Sequence, residues 1–96
     1  MDPDSILEFM IADVVESTAG RDAGKLFYVI DTDETHLTLV NGKDRTLENP
    51  KRKKRKHTRW LLRPDTRVAN KLKTGEYVHN SELRRDLAYL RNTIGG

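Results

Sequence analysis

Residues 14–30 read VVESTAGRDAGKLFYVI. Both flanks are rich in β-branched and aromatic side chains, the composition of buried strands. Between them TAGRDAG places glycines at Gly20 and Gly24. A glycine loop ahead of a lysine invites a nucleotide-phosphate reading, and the spacing rejects it. A P-loop needs four residues between its glycines, then Lys and Ser or Thr at the start of a helix. Here three residues intervene, Lys25 is followed by Leu26, and a strand comes next. Gly20 and Gly24 are therefore assigned to a tight turn with positive φ. Arg21 and Lys25 flank that turn, either as solvated tips or as contacts for an anion.

Working outward, the segment 10–17 sets Ile11 and Val15 on one strand face, with Val14 able to fill a barrel interior. In the strand 25–31, one of Phe27 and Tyr28 packs inward and the other is left to solvent. Residues 36–40 alternate, and Asn41-Gly42 follows at once, the strongest short-range hairpin signal because both turn residues take positive φ. Lys43 to Leu47 is the expected return strand, and Arg59 to Leu62 a final one. Several short strands with tight turns predict a mainly β fold, a small closed β-barrel over residues 10–63 after a lead-in at 1–9. The period then changes. Leu83, Leu87, Leu90 and Ile94 form one helical stripe, capped by Asn80 or Ser81 and ended by Gly95-Gly96. The stripe packs on the domain's own core or offers a protein contact. Residues 64–96 are thus a connecting segment and a C-terminal amphipathic α-helix, with 64–79 undefined except for a helical turn at Val68 to Leu72.

A chain of 96 residues with 35% apolar and 34% charged side chains supports one lean core beneath a polar surface. No apolar run reaches the roughly 20 residues of a membrane span, and the acidic start MDPDSILEF lacks the pattern of a secretory signal. With no cysteine there are no disulfides or thiolate metal sites. A cytoplasmic, membrane-independent protein is the expectation. His36, His57 and His79 lack metal-ligand spacing, Asp31, Asp33 and Glu34 fit a solvated turn, and no nucleophile has a recognisable partner. No enzyme activity, metal or cofactor is expected.

Charge is divided sharply along the chain. Residues 1–50 hold 4 basic and 11 acidic side chains, and residues 51–96 hold 14 basic and 4 acidic. The densest cluster is PKRKKRKHTRW at 50–60, where Lys51, Arg52, Lys53, Lys54, Arg55, Lys56 and Arg59 are cationic and His57 extends the run. Three readings compete: a solvated segment, a basic sorting signal, and a polyanion contact. Its place between strand-like segments, inside the expected barrel, favours the contact. Lys43 and Arg45 after the Asn-Gly pair extend the footprint, and the acidic remainder is expected to face away. Trp60 either closes the core or stacks on a base. Charge does not separate RNA from DNA.

The order of these features resembles a known group. Val14–Ile30 is similar to the KOW motif, a strand–loop–strand unit whose central glycine corresponds to Gly24. The AGRDAGK loop, the LVNGKDR hairpin and PKRKKRKH, taken together, resemble bacterial KOW-domain RNA-binding proteins related to ribosomal protein L14e. The likeness covers about residues 10–62, and NSELRRDL extends it towards the C-terminus. The group commonly begins its first strand with glycine where this chain has Ala12. The resemblance implies an SH3-like barrel, non-enzymatic RNA binding and association with the ribosome or its RNA in translation. It also implies an alternative, the protein-interaction KOW barrels of transcription and translation factors.

Overall fold

The computed structural model describes residues 8–95. Five strands, β1 (Val14–Ser17), β2 (Leu26–Thr32), β3 (His36–Val40), β4 (Lys51–Lys54) and β5 (Thr58–Leu62), precede two helices, α1 (Arg67–Thr74) and α2 (Asn80–Gly95). The strands form one antiparallel sheet in the order β4-β3-β2-β1-β5. Only a single 3₁₀ turn, Arg55–His57, joins the two edge strands. Four strand spacings in a flat sheet would hold those edges about 19 Å apart, whereas the link from Lys54 to Thr58 spans at most about 14 Å. The sheet must therefore curl, and register shifts at Val14/Val15 and between Val29 and Asp31 supply the bends. No ladder pairs β4 with β5, so the expected closed barrel is an open, curled sheet.

Both faces of the three central strands are largely buried. Val14, Leu26, Tyr28 and Val40 meet Ala69, Val78, Leu83, Leu87 and Leu90 from the helical region. Val15, Phe27, Val29, Leu37 and Leu39 form a second cluster with Phe9 packed against it and no helical residue, which places it inside the curl. Residues 26–29 are apolar without alternation because both sides need apolar partners. Phe27 and Tyr28 are accordingly both fully buried, where only one was expected to be, while Ile11 is exposed.

The stretch 64–79 contains a true helix. Thr66 caps α1 by accepting from the Ala69 N–H at 3.1 Å, and Gly75 ends it with φ 77°. Tyr28 ties both helices to the sheet: its hydroxyl bonds the Asp86 carboxylate, and Thr66 donates to the same oxygen at 2.8 Å. Burial, then the hydrogen bond and charge of Asp86, push the Tyr28 hydroxyl pKa well up, so it stays a neutral donor. Leu83, Leu87 and Leu90 are consumed by the core, and Ile94 alone of the stripe is exposed. Each buried leucine contributes about 2 kcal/mol. A protein contact through the whole stripe would require α2 to lift away.

The Asn41-Gly42 hairpin does not form. Gly42 has positive φ, Asn41 does not, and Asn41 Oδ1 accepts from the N–H groups of Lys43 and Arg45, each at 3.0 Å. Those donors are then lost to a ladder, and β3 pairs instead with the basic run as β4. Asn80 does not cap its own helix either. Its side chain accepts from Leu47 N–H and donates to Glu48, while Glu82 reaches back to the His79 N–H at 3.0 Å.

A Cβ on Gly42 would lie 2.2 Å from the Asn80 carbonyl oxygen, whereas one on Gly24 meets nothing within 4 Å, although both residues have positive φ. Gly24→Ala should cost about 1 kcal/mol of left-handed strain. Gly42→Ala should cost more than about 3 kcal/mol, because α2 must also shift. Urea midpoints compare the two, and equal losses would contradict the close approach.

Candidate nucleic-acid interface

The basic run is an edge strand followed by a turn. Cross-strand neighbours share a face, so Lys51 opposite Leu39 and Lys53 opposite Leu37 point into the curl, while Arg52 and Lys54 point out. Inward charges on an edge strand also discourage pairing with a second molecule. A lysine tolerates this position only with an anion at the end of its stem, and the glycine loop supplies one.

Lys53 Nζ donates to Asp22 Oδ1 and to the Ala19 carbonyl, both at 2.8 Å, and its side chain is 8% exposed. Ser17 Oγ donates to Asp22 at 2.6 Å, and Lys51 stands 3.4 Å from its other oxygen. Burial pushes the Asp22 carboxyl up. The hydrogen bonds from Lys53 and Ser17, with the charges of Lys53 and Lys51, outweigh it and hold the group well below the usual carboxylate range. Lys53 therefore departs from its expected role: it is a buried strut under the glycine loop and presents no charge to a ligand. Gly20 and Gly24 have the positive φ expected of them.

Arg55 is also largely internal. Its guanidinium lies 5.4 Å from the centre of the Phe9 ring and donates to Thr32 Oγ1 at 2.6 Å, and its buried Nε has no partner among the described residues. Two further cations sit in exposed ion pairs, Arg52 with Asp33 at 2.6 Å and Arg59 with Glu16 at 2.5 Å. Arg52, followed by the N–H groups of Thr35 and His36, holds the Asp33 carboxyl well below its ordinary value. Glu16, Asp22 and Asp33 are thus interleaved with the basic run, contrary to the expectation that the acidic side chains face away.

What remains open is a ridge. Lys54 and Lys56 are exposed and have no side-chain partner among the described residues, with half-buried His57 beside them. Thr35, His36, Lys54, Arg55 and Lys56 line an open groove of about 460 Å³. Of the loop residues, Arg21 is exposed at the glycine-loop tip. Lys25 pairs with Asp44 at 2.7 Å, Lys43 is exposed and Arg45 is half-buried. The twelve expected contacts therefore do not form one surface: Lys53 is buried, and Lys25 and Lys43 line a different groove from Lys54, Arg55 and Lys56.

Trp60 is half-buried and donates Nε1 to Asp13 at 3.2 Å, which favours the closing role over base stacking. Asp13 is fully buried, and it also accepts from Arg63 Nε at 2.7 Å and from the Met10 N–H at 2.8 Å. That hub joins the start of β1 to the end of β5, and the Asp13–Arg63 pairing gave no signal in the sequence. Arg84 and Arg91 of α2, which donate to the carbonyls of Gly42 and Gly24, were likewise missed. A cationic helix face beside a glycine loop is the signal that would have found them.

Asp22→Asn leaves the Lys53 ammonium buried without its anion and should cost about 2 kcal/mol in a urea titration. Asp33→Asn, at an exposed pair, should be nearly neutral. Because the folded-state pKa of Asp22 is depressed, its contribution is complete above the unfolded carboxylate value near 4 and fades as pH falls below it. Stability measured from pH 6 down to pH 2 should therefore fall less steeply in Asp22→Asn than in the wild type. No protein-family model matches this chain, and a comparison with curated proteins found no significant match.

Proposed function

We propose that this protein is a non-enzymatic RNA-binding module of KOW type, built as an SH3-like barrel and acting in the cytoplasm on the ribosome or its RNA. The observation that carries the reading is the outward side of β4 and the following turn, where Arg52, Lys54 and Lys56 are exposed and Lys54 and Lys56 line an open groove, with half-buried His57 and exposed Arg59 next along the chain. Their neighbours Lys53 and Arg55 are immobilised by Asp22, Thr32 and Phe9, so the ridge rests on a stiff base. A cation held near its working position loses less entropy on meeting a phosphate. The pairs with Asp33 and Glu16 contribute little at such exposure and exchange readily for a phosphate.

Two further features support the KOW reading. The strand–loop–strand unit is present, with β1 and β2 paired around the glycine loop. Ala12, where the group commonly has glycine, has φ 74° and is the one non-glycine with positive φ among the described residues. A second reading, a protein-binding barrel, is favoured by Met10 and Ile11. These are 51% and 41% exposed and, with Arg63 and Lys73, line a groove of about 470 Å³. Among the described residues no helix is long and apolar enough to cross a membrane.

The test replaces Arg52, Lys54 and Lys56 by Gln and leaves the buried Lys53 and the half-buried Arg55 alone, since changing those would confuse binding with folding. Each phosphate contact contributes about 0.7 to the log–log salt slope on single strands. The triple variant should lose about two units of slope and its salt-sensitive co-sedimentation with ribosomes, while its urea midpoint holds. If triple variant and wild type co-sediment alike and Met10→Ser with Ile11→Ser does not, the protein-contact reading replaces this one.

A further inference from the structure

The glycine loop has a second side. Opposite the strut that Asp22 makes with Lys53, an open groove of about 380 Å³ runs between this loop, the turn after β3, and α2. Four cations line it, Lys25, Lys43, Arg84 and Arg91, against one carboxylate, Asp44.

The two arginines are held in place. Arg84 NH1 donates to the Gly42 carbonyl at 2.5 Å, and Arg91 NH2 donates to the Gly24 carbonyl at 2.7 Å. A guanidinium carries five donors in a fixed fork, so one bond to a carbonyl orients it and leaves the others for an anion. Lys43 is exposed with no side-chain partner among the described residues. Lys25 is bound to Asp44 at 2.7 Å, their side chains being 47% and 43% exposed. The hydrogen bond from Lys25, then its charge, with help from Asn41 and Lys43, holds the Asp44 carboxyl below its ordinary range. Asp44 is thus ionised at neutral pH and occupies the groove as a built-in anion, offsetting one of four positive charges. An exposed ion pair of this kind contributes little and yields readily to a competing anion.

We infer that this groove is a second binding site for phosphate groups of the RNA backbone, with Asp44 as the internal competitor that the RNA displaces. The inference rests on the RNA-binding reading and extends it. Two oriented guanidinium forks and two mobile ammonium groups suit the tetrahedral oxygens of successive phosphates. The glycine loop borders both sites: the Thr18 N–H donates to the His57 carbonyl at 2.9 Å at the end of the basic turn, the Gly24 carbonyl accepts from Arg91 at the groove, and exposed Arg21 lies between Thr18 and Gly24 in the chain. One RNA crossing that loop would meet the ridge of β4, then Arg21, then the groove.

The test uses the full chain and a short single-stranded RNA, with affinity measured across a salt series. Lys43→Gln should weaken binding several-fold and lower the slope by about 0.7. Asp44→Asn should strengthen binding several-fold, a gain that misfolding does not produce. Arginine side-chain NMR signals of Arg84 and Arg91 should move with RNA. If the wild type binds and the Arg52, Lys54 and Lys56 variant loses binding, but Lys43→Gln and Asp44→Asn change nothing, the groove is overturned and the RNA-binding reading stands. If inorganic phosphate moves the arginine signals and RNA does not, the site takes a small anion and the inference is again overturned. Failure of the wild type to bind any RNA would remove the functional reading itself.

Discussion

A single buried ammonium group organises the molecule. Lys53 leaves the edge strand, crosses the open end of the curled sheet, and is held by the Asp22 carboxylate and the Ala19 carbonyl of the glycine loop. No backbone ladder joins β4 to β5, so the curl is secured by side chains and a three-residue turn. A hydrophobic residue at position 53 would bury as much surface. It would not satisfy Asp22 or the Ala19 carbonyl, and a buried polar group without a partner is costly. The strut therefore couples the loop's conformation to the register of the basic strand. At the opposite end Asp13 does the same work, drawing Trp60 and Arg63 of the last strand region onto the start of β1.

This arrangement changes what a cluster of positive charge means. Seven Lys or Arg between positions 51 and 59 suggest a uniform polyanion-binding surface, yet alternation along a strand divides them. Lys51 and Lys53 are drawn inward to Asp22, and Arg55 is laid against Phe9. Arg52, Lys54 and Lys56 are left facing outward. The inward set stabilises the edge and the outward set is available to a ligand. Function and folding thus use neighbouring residues of the same chemical type, and only their direction tells them apart. Strong dipolar charge along the chain has the same consequence, since acidic side chains from the first half neutralise part of the second within the fold.

A good deal was legible beforehand. Strand composition around the glycine loop, the positive φ of Gly20 and Gly24, the final strand through Trp60, and the helix bearing Leu83, Leu87 and Leu90 all follow from local patterns that tertiary packing leaves intact. Other features were not. Asn41-Gly42 carries a hairpin signal, but the Asn41 side chain captures two backbone donors that a return strand would need. Phe27 and Tyr28 are both buried because the sheet has helices on one face and its own curl on the other, which a strand's composition does not reveal. α1 was visible only as a turn, its helical face being short and its cap, Thr66, shared with Asp86 of α2.

The sequence by itself determined part of the local structure and its chemistry: the strands on either side of the glycine loop, the one ending at Val40 and the last through Trp60, the C-terminal helix, which glycines permit left-handed turns, and that the cations crowd into the second half of the chain. Those properties are local, set by side-chain volume, backbone freedom and charge within a few residues. Tertiary structure alone decided which cations are spent and which remain, that the basic run is an edge strand, and that Lys25, Lys43, Arg84 and Arg91 line one groove. The physical reason is that burial and ion pairing depend on residues distant in the chain, such as Asp22 for Lys53 and Gly24 for Arg91. Such partners come together only when the sheet curls and α2 closes over it.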